Sequence, residues 1–211
     1  MTSGGSAVEK STSLENLEVE IRKKFETHAK DIWLFPRGDD GKVRKFLPNS
    51  GSKVMGFWGT GEKPNCKDRV MIIAERPSVG RGKEPKKFDK TTARFYEFLE
   101  KNKLDNSHLT DFIKTRAKVG YDSKKQKLKF YEEEYPRHLS ILKKEIDIIK
   151  PNKIIALGEK AYVWVAICKP FLELKNVKLF CAPHYASACN ARYQFKKMKE
   201  FKKEFARATK C

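Results

Sequence analysis

The chain has 211 residues, 46 of them Lys or Arg against 27 Asp or Glu, for a formal charge of +19. That length allows one α/β domain with a sizeable core, and the charge points to a polyanion such as nucleic acid, the plainer alternative being a Lys-rich solvated surface. No apolar run reaches membrane-spanning length, no signal-peptide core opens the chain, and the five cysteines form no C-x-x-C pair, so the expectation is a cytoplasmic (in a eukaryote, nuclear) protein with free thiols and no metal or cofactor.

Residues 1–12 are small and polar and read as a disordered tail, with residues 13–211 as a single domain. Ser13 is placed to cap a helix whose apolar face is Leu14, Leu17, Ile21 and Phe25. Residues 36–67 are rich in Gly, Pro, Lys and Asn and predict loops with short strands, with Phe57 and Trp58 packing inward. Val70–Ala74 has the composition of a buried strand. A loop over Pro77–Pro85 follows, then a helix over Thr92–Lys101 with Phe95, Phe98 and Leu99 on one face. Leu109–Lys114 predicts a second strand and residues 119–129 a basic loop. Tyr131–Lys150 predicts a long amphipathic helix through Leu139, Leu142, Ile146 and Ile149, stopped by Pro151. Lys153–Leu157 is a third strand closed by Gly158, Ala161–Cys168 an apolar helix, Val177–Ala182 a fourth strand, and Asn190–Thr209 a strongly basic helix. Strands alternating with helices predict a three-layer α/β/α domain around a mostly parallel four-stranded sheet.

Two strand ends carry chemically capable residues: Arg69-Val-Met-Ile-Ile-Ala-Glu-Arg-Pro-Ser-Val-Gly-Arg-Gly82 and Cys181-Ala-Pro-His-Tyr-Ala-Ser187. Ligands of open α/β sheets bind at such ends. The pair resembles the two signature motifs of the uracil-DNA glycosylase superfamily. From Val70 to about Lys197 the order of elements is similar to its iron–sulfur (thermophile-type) branch. Ala74-Glu75-Arg76-Pro77-Ser78 stands where that branch has Gly-Glu-Ala-Pro-Gly. Lys87-Phe88-Asp89-Lys90 corresponds to Pro-Phe-Val-Gly, and Thr110-Asp111-Phe112-Ile113-Lys114-Thr115-Arg116 to Thr-Asn-Val-Val-Lys-Cys-Arg. Ile149–Gly158 is close to Ile-Lys-Pro-x-x-Ile-x-x-Leu-Gly, and His184-Tyr185-Ala186, with Ser187 next, stands for His-Pro-Ser. The cysteines that hold the cluster are missing, so the cluster is not carried over.

The resemblance implies metal-independent hydrolysis of the N-glycosidic bond of a base flipped out of DNA. On it, Glu75 positions water and stabilises the cationic sugar, and His184 donates to the negative charge that builds on O2 of the leaving base. The plainer readings are a solvated acid paired with Arg76 or Arg81 and an ordinary loop histidine. Phe88 stacks on the flipped base, or is a core ring beneath the loop. Arg76 and Ser78, where the branch has Ala and Gly, give a polar wall near the base's 5-position. Ser187 binds a target phosphate, and Arg192, Lys196 and Lys197 on the basic helix extend the DNA footprint.

Asp111 is the most telling departure, because the family usually has Asn there. Asn reads uracil with one acceptor and one donor, whereas an ionised Asp only accepts. Asp accepts well from the cytosine N4 amino group, and burial would let a proton be shared with N3. The alternative is a salt bridge from Asp111 to Lys114 or Arg116. The expectation is therefore a monomeric, monofunctional DNA glycosylase for a cytosine-derived base, 5-modified cytosines included, in double- or single-stranded DNA. Modified viral DNA fits by analogy with antiviral members of the superfamily. The rivals are a conventional uracil-repair glycosylase and a catalytically inactive DNA-binding relative.

Overall fold

A computed structural model describes residues 16, 17, 20, 56–58, 62, 63, 66–75, 95, 98, 99, 101, 102, 104, 107–114, 132, 135–185 and 194–210, with backbone alone at 56–58, 62, 63, 66 and 194–197. Its strands are β1 (Gly56–Trp58), β2 (Glu62–Lys63), β3 (Cys66–Ala74), β4 (His108–Asp111), β5 (Lys153–Leu157) and β6 (Lys178–Ala182). Its helices are α1 (Tyr135–Ile149), α2 (Glu159–Ile167) and α3 (Gln194–Thr209).

The sheet runs β1-β4-β3-β5-β6, with β2 pairing the start of β3. Its central strands β4, β3, β5 and β6 are mutually parallel. The strands expected at Val70–Ala74, Lys153–Leu157 and Val177–Ala182 form to within a few residues. Strands covered on both faces read as unbroken apolar runs. Val70 to Ala74 and Ile154 to Leu157 are accordingly at most 2% exposed. Short strands are expected within 36–67, and β1 and β2 lie there, both antiparallel to their neighbours. The side chains of Phe57 and Trp58 lie outside the described residues.

One boundary differs. The second parallel strand ends at Asp111, not Lys114. Beyond it, the Phe112 N–H donates to the Ala74 carbonyl at 2.8 Å and the Ile113 N–H to the Glu75 carbonyl at 2.9 Å. The chain thus stays stitched to the end of β3 while leaving strand geometry. This frees the Phe112 and Ile113 side chains to pack under α1 and α2.

Two cores cover the two faces. On one, Met71, Ile73 and Ile154 pack against Leu142 and Ile146 of α1 and Val165 of α2. On the other, Val70, Ile72, Leu109, Ile155 and Leu157 meet Phe201, Phe205 and Ala208 of α3, with Phe95 and Leu99. The result is the expected three-layer α/β/α arrangement. Helix α1 ends at Ile149; Lys150 turns to φ 50° before Pro151, a residue that cannot continue a helix. Of the N-terminal helix, Asn16, Leu17 and Glu20 are described and helical; Leu17 is buried and Glu20 accepts from Lys144 of α1. No helix among the described residues is long and apolar enough to cross a membrane.

Candidate active site

Strand register builds the site. Asp111 lies level with Ala74, Ala74 with Leu157, and Leu157 with Ala182, so these four residues form one row across the carboxyl edge of the sheet. Neighbours in such a row are about 4.8 Å apart. Glu75 and Gly158 are the next residues on β3 and β5, and His184 is two residues past β6. Three residues separated by up to 109 positions in sequence, Glu75, Asp111 and His184, are thereby set along one edge.

His184 is held from two sides. Its ring stacks on Tyr185 with centroids 4.5 Å apart, and Tyr185 stacks on Phe95 at 4.8 Å. Phe95 in turn meets the edge of Phe201 on α3. Behind it lies Gly158, whose φ of 92° favours a residue without a side chain, and on which a Cβ would sit in van der Waals contact with the His184 Cβ at 3.4 Å. The Gly158 N–H donates to the Ala182 carbonyl at 2.7 Å and fixes the turn. Burial lowers the His184 pKa, while the Glu75 carboxylate opposes that change. The imidazole is therefore neutral at neutral pH.

Glu75 stands partly exposed, with its Oε1 4.0 Å from the Lys160 Nζ at the start of α2. Arg76 and Arg81, the partners suggested by sequence, lie outside the described residues.

Asp111 is 1% exposed. Both of its carboxyl oxygens are buried without a hydrogen bond among the described residues. Burial pushes its pKa from 3.8 up to about 8; Lys114 works against this, and Glu145 and Glu75 add to it. At neutral pH the group is a carboxylic acid, with one donor and one acceptor to offer. An unpaired buried polar group costs roughly 1–3 kcal/mol, so it is uncommon away from functional sites. The suggested salt bridge to Lys114 does not form; Arg116 lies outside the described residues.

Lys114 is bound elsewhere, in a network that the sequence did not reveal. Its Nζ donates to Glu145 Oε2 and to Thr110 Oγ1, both at 2.6 Å. Thr110 Oγ1 donates to Glu145 Oε1 at 3.2 Å. The Lys114 backbone N–H donates to His138 Nδ1 at 3.2 Å, which makes His138 the neutral tautomer with its proton on Nε2. The available signal was on α1. Its buried stripe reads His138, Ile141, Leu142, Glu145, Ile146 and Ile149, so an acid occupies a position that helical periodicity assigns to the core.

Phe88, Arg76, Ser78, Ser187 and Arg192 lie outside the described residues. Lys196 and Lys197 fall in the first turn of α3, with only their backbone described. Among the described residues no three His, Cys, Asp or Glu side chains converge to hold a metal ion.

Residues 61–210 match the family model described as Uracil DNA glycosylase superfamily. No curated protein matches the chain. The matched span contains the whole parallel sheet and all three residues gathered at its carboxyl edge, and on that evidence the chain belongs to the uracil-DNA glycosylase superfamily, whose members are DNA glycosylases.

Proposed function

We propose that the protein is a monofunctional DNA glycosylase that removes a cytosine-derived base, including one with a polar 5-substituent, and leaves an abasic site. The observation that carries this reading is Asp111: a fully buried carboxyl, unpaired among the described residues, with a pKa of about 8, at the edge it shares with Glu75 and His184. Its carbonyl oxygen accepts from cytosine N4–H and its O–H donates to N3. The proton can then pass to N3, giving charge-assisted hydrogen bonds, which are roughly twice as strong as neutral ones. A base protonated at N3 is also the better leaving group. A 5-substituent would face the polar wall of Arg76 and Ser78, with Phe88 stacked on the ring.

In the chemical step the bond between C1′ and the base nitrogen breaks, and the electron pair leaves with the base. The His184 N–H donates to the charge growing on O2. Glu75 orients a water toward the cationic C1′ and takes its proton as the new C–O bond forms. Ser187, Arg192 and the basic start of α3 at Lys196 and Lys197 hold the phosphates of double- or single-stranded DNA. The enzyme acts as a monomer.

A second reading, removal of uracil, is supported by the same raised pKa. A neutral carboxyl can carry its proton on either oxygen and so can meet O4 and N3–H of uracil in the opposite order. Uracil cannot accept the proton at N3, so it forgoes the charge-assisted pair. The test is base release from DNAs containing uracil, cytosine and 5-substituted cytosines, glycosylated ones among them, with the freed base identified by mass spectrometry. Release of a cytosine-derived base supports the proposal; release of uracil alone, or of no base, overturns it.

A further inference from the structure

Lys114 follows Asp111 by three residues and belongs to the same buried stretch. An opposite charge so near would normally ionise the carboxyl, lowering its pKa by roughly 1–3 units. The ammonium is instead enclosed by Glu145 Oε2 and Thr110 Oγ1, each at 2.6 Å. Thr110 also donates to Glu145, closing a three-membered ring of hydrogen bonds. His108 Nε2 faces the same carboxylate at 3.8 Å, too long for a hydrogen bond. Side-chain alternation along β4 puts His108 and Thr110 on the α1 side and Asp111 on the other, with Leu109.

A buried Lys–Glu pair seldom stabilises a fold more than well-packed apolar residues would. Glu145 and Lys114 sit where Leu or Met could fill the core, so their presence calls for another role. The charged groups acting on Asp111 are Lys114 from its own stretch, Glu145 from α1 and Glu75 from the end of β3. The ammonium favours ionisation of Asp111; the two carboxylates oppose it.

We propose that Glu145 is a positioning residue for base recognition: with Thr110 it holds the Lys114 ammonium away from Asp111, so that the Asp111 carboxyl keeps its proton for the base. The inference rests on the reading of Asp111 as the base-facing group, and its test is separable from that reading. The side-chain carboxyl carbon resonance of Asp111, assigned by its loss in Asp111→Asn, is followed against pH in the DNA-free protein.

Glu145→Gln removes the anion that holds Lys114 and should lower the Asp111 midpoint by roughly 1–3 pH units. Thr110→Val keeps the shape, removes the second anchor and should lower it by less. Lys114→Met should raise it. These opposed directions separate positioning from a merely structural role, which would not reverse sign between variants. If Glu145→Gln does not fold, Thr110→Val and Lys114→Met decide by the same signs. An Asp111 midpoint unmoved by loss of Glu145 or Thr110, or lowered by Lys114→Met, overturns the inference. If the midpoints move as expected but the alkaline limb of base release does not follow them, the role of Glu145 stands and the base-reading role of Asp111 falls.

Discussion

Gly158 lies directly behind His184: a Cβ on the glycine would meet the His184 Cβ at 3.4 Å, and the glycine backbone stands at φ 92° and ψ 154°. The turn that ends β5 thus backs the residue that follows β6. Gly158→Ala introduces strain in a region of backbone space almost confined to glycine, at a cost of roughly 1–3 kcal/mol. The added methyl would touch the His184 Cβ, so relief of the backbone strain reaches the histidine. We expect a lower melting temperature together with slower base release, measured on one preparation. Unchanged turnover at reduced stability would show that Gly158 serves the fold alone.

His184→Ala should reduce turnover by roughly 10²–10³-fold, the usual effect of losing one donor to developing negative charge. DNA affinity should stay near that of the wild type, because the missing interaction forms mainly in the transition state. Glu75→Gln should slow the same step. Single-turnover base release and equilibrium DNA binding measure the two effects apart. Full activity in both variants would remove the proposed active site.

Asp111 ties stability to pH. An unfolded chain releases this proton near 3.8, whereas the folded protein holds it until about 8. Between those values the folded state binds more protons, so stability present at low pH is lost as pH rises, by up to about 1.4 kcal/mol per unit. Above about 8 both states are ionised and this dependence ends. Asp111→Asn has no proton to lose and should flatten that slope, with a higher melting temperature at pH 8 than the wild type. Thermal unfolding of both proteins from pH 5 to 9 checks this. Parallel curves would mean that Asp111 is ionised in the folded state.

Charge reversal at Lys196 and Lys197 should weaken DNA binding and flatten its salt dependence. Every phosphate that the protein no longer neutralises reduces the slope of log K against log salt by about 0.9 for duplex DNA. Unaltered affinity and slope would place the footprint elsewhere than the start of α3.

Much of the framework was legible because it is written in local patterns. Val70–Ala74 and Lys153–Leu157 are short apolar runs closed by Glu75 and Gly158, and parallel pairing then brings their ends together. The motif resemblance singled out Glu75, Asp111 and His184, and register set them along one edge. The partner of Lys114 was not legible. Nothing in the sequence says that an ammonium three residues from Asp111 reaches across to a helix 31 residues on, because that choice is made by side-chain geometry. The acid at Glu145 was visible within the apolar stripe of α1, but its partner depended on how that helix lies on β4. The early end of β4 was hidden for a similar reason: Phe112 and Ile113 are as apolar as strand residues, and their hydrogen bonds to the end of β3 set the boundary.

If Asp111 reads the base through a proton it shares with N3, competition between substrates will show it. Wild type and Asp111→Asn are each given equal amounts of a 5-substituted-cytosine DNA and the matching uracil DNA, and initial rates of base release are compared. Asn preserves the shape and the donor–acceptor pair but has no acidic proton to give. The wild type should favour the cytosine-type base, and Asp111→Asn should shift the ratio toward uracil by roughly fivefold to tenfold, matching the difference of about 1–1.5 kcal/mol between a charge-assisted and a neutral hydrogen bond. A wild type that favours uracil, or a ratio the substitution leaves unchanged, would contradict it.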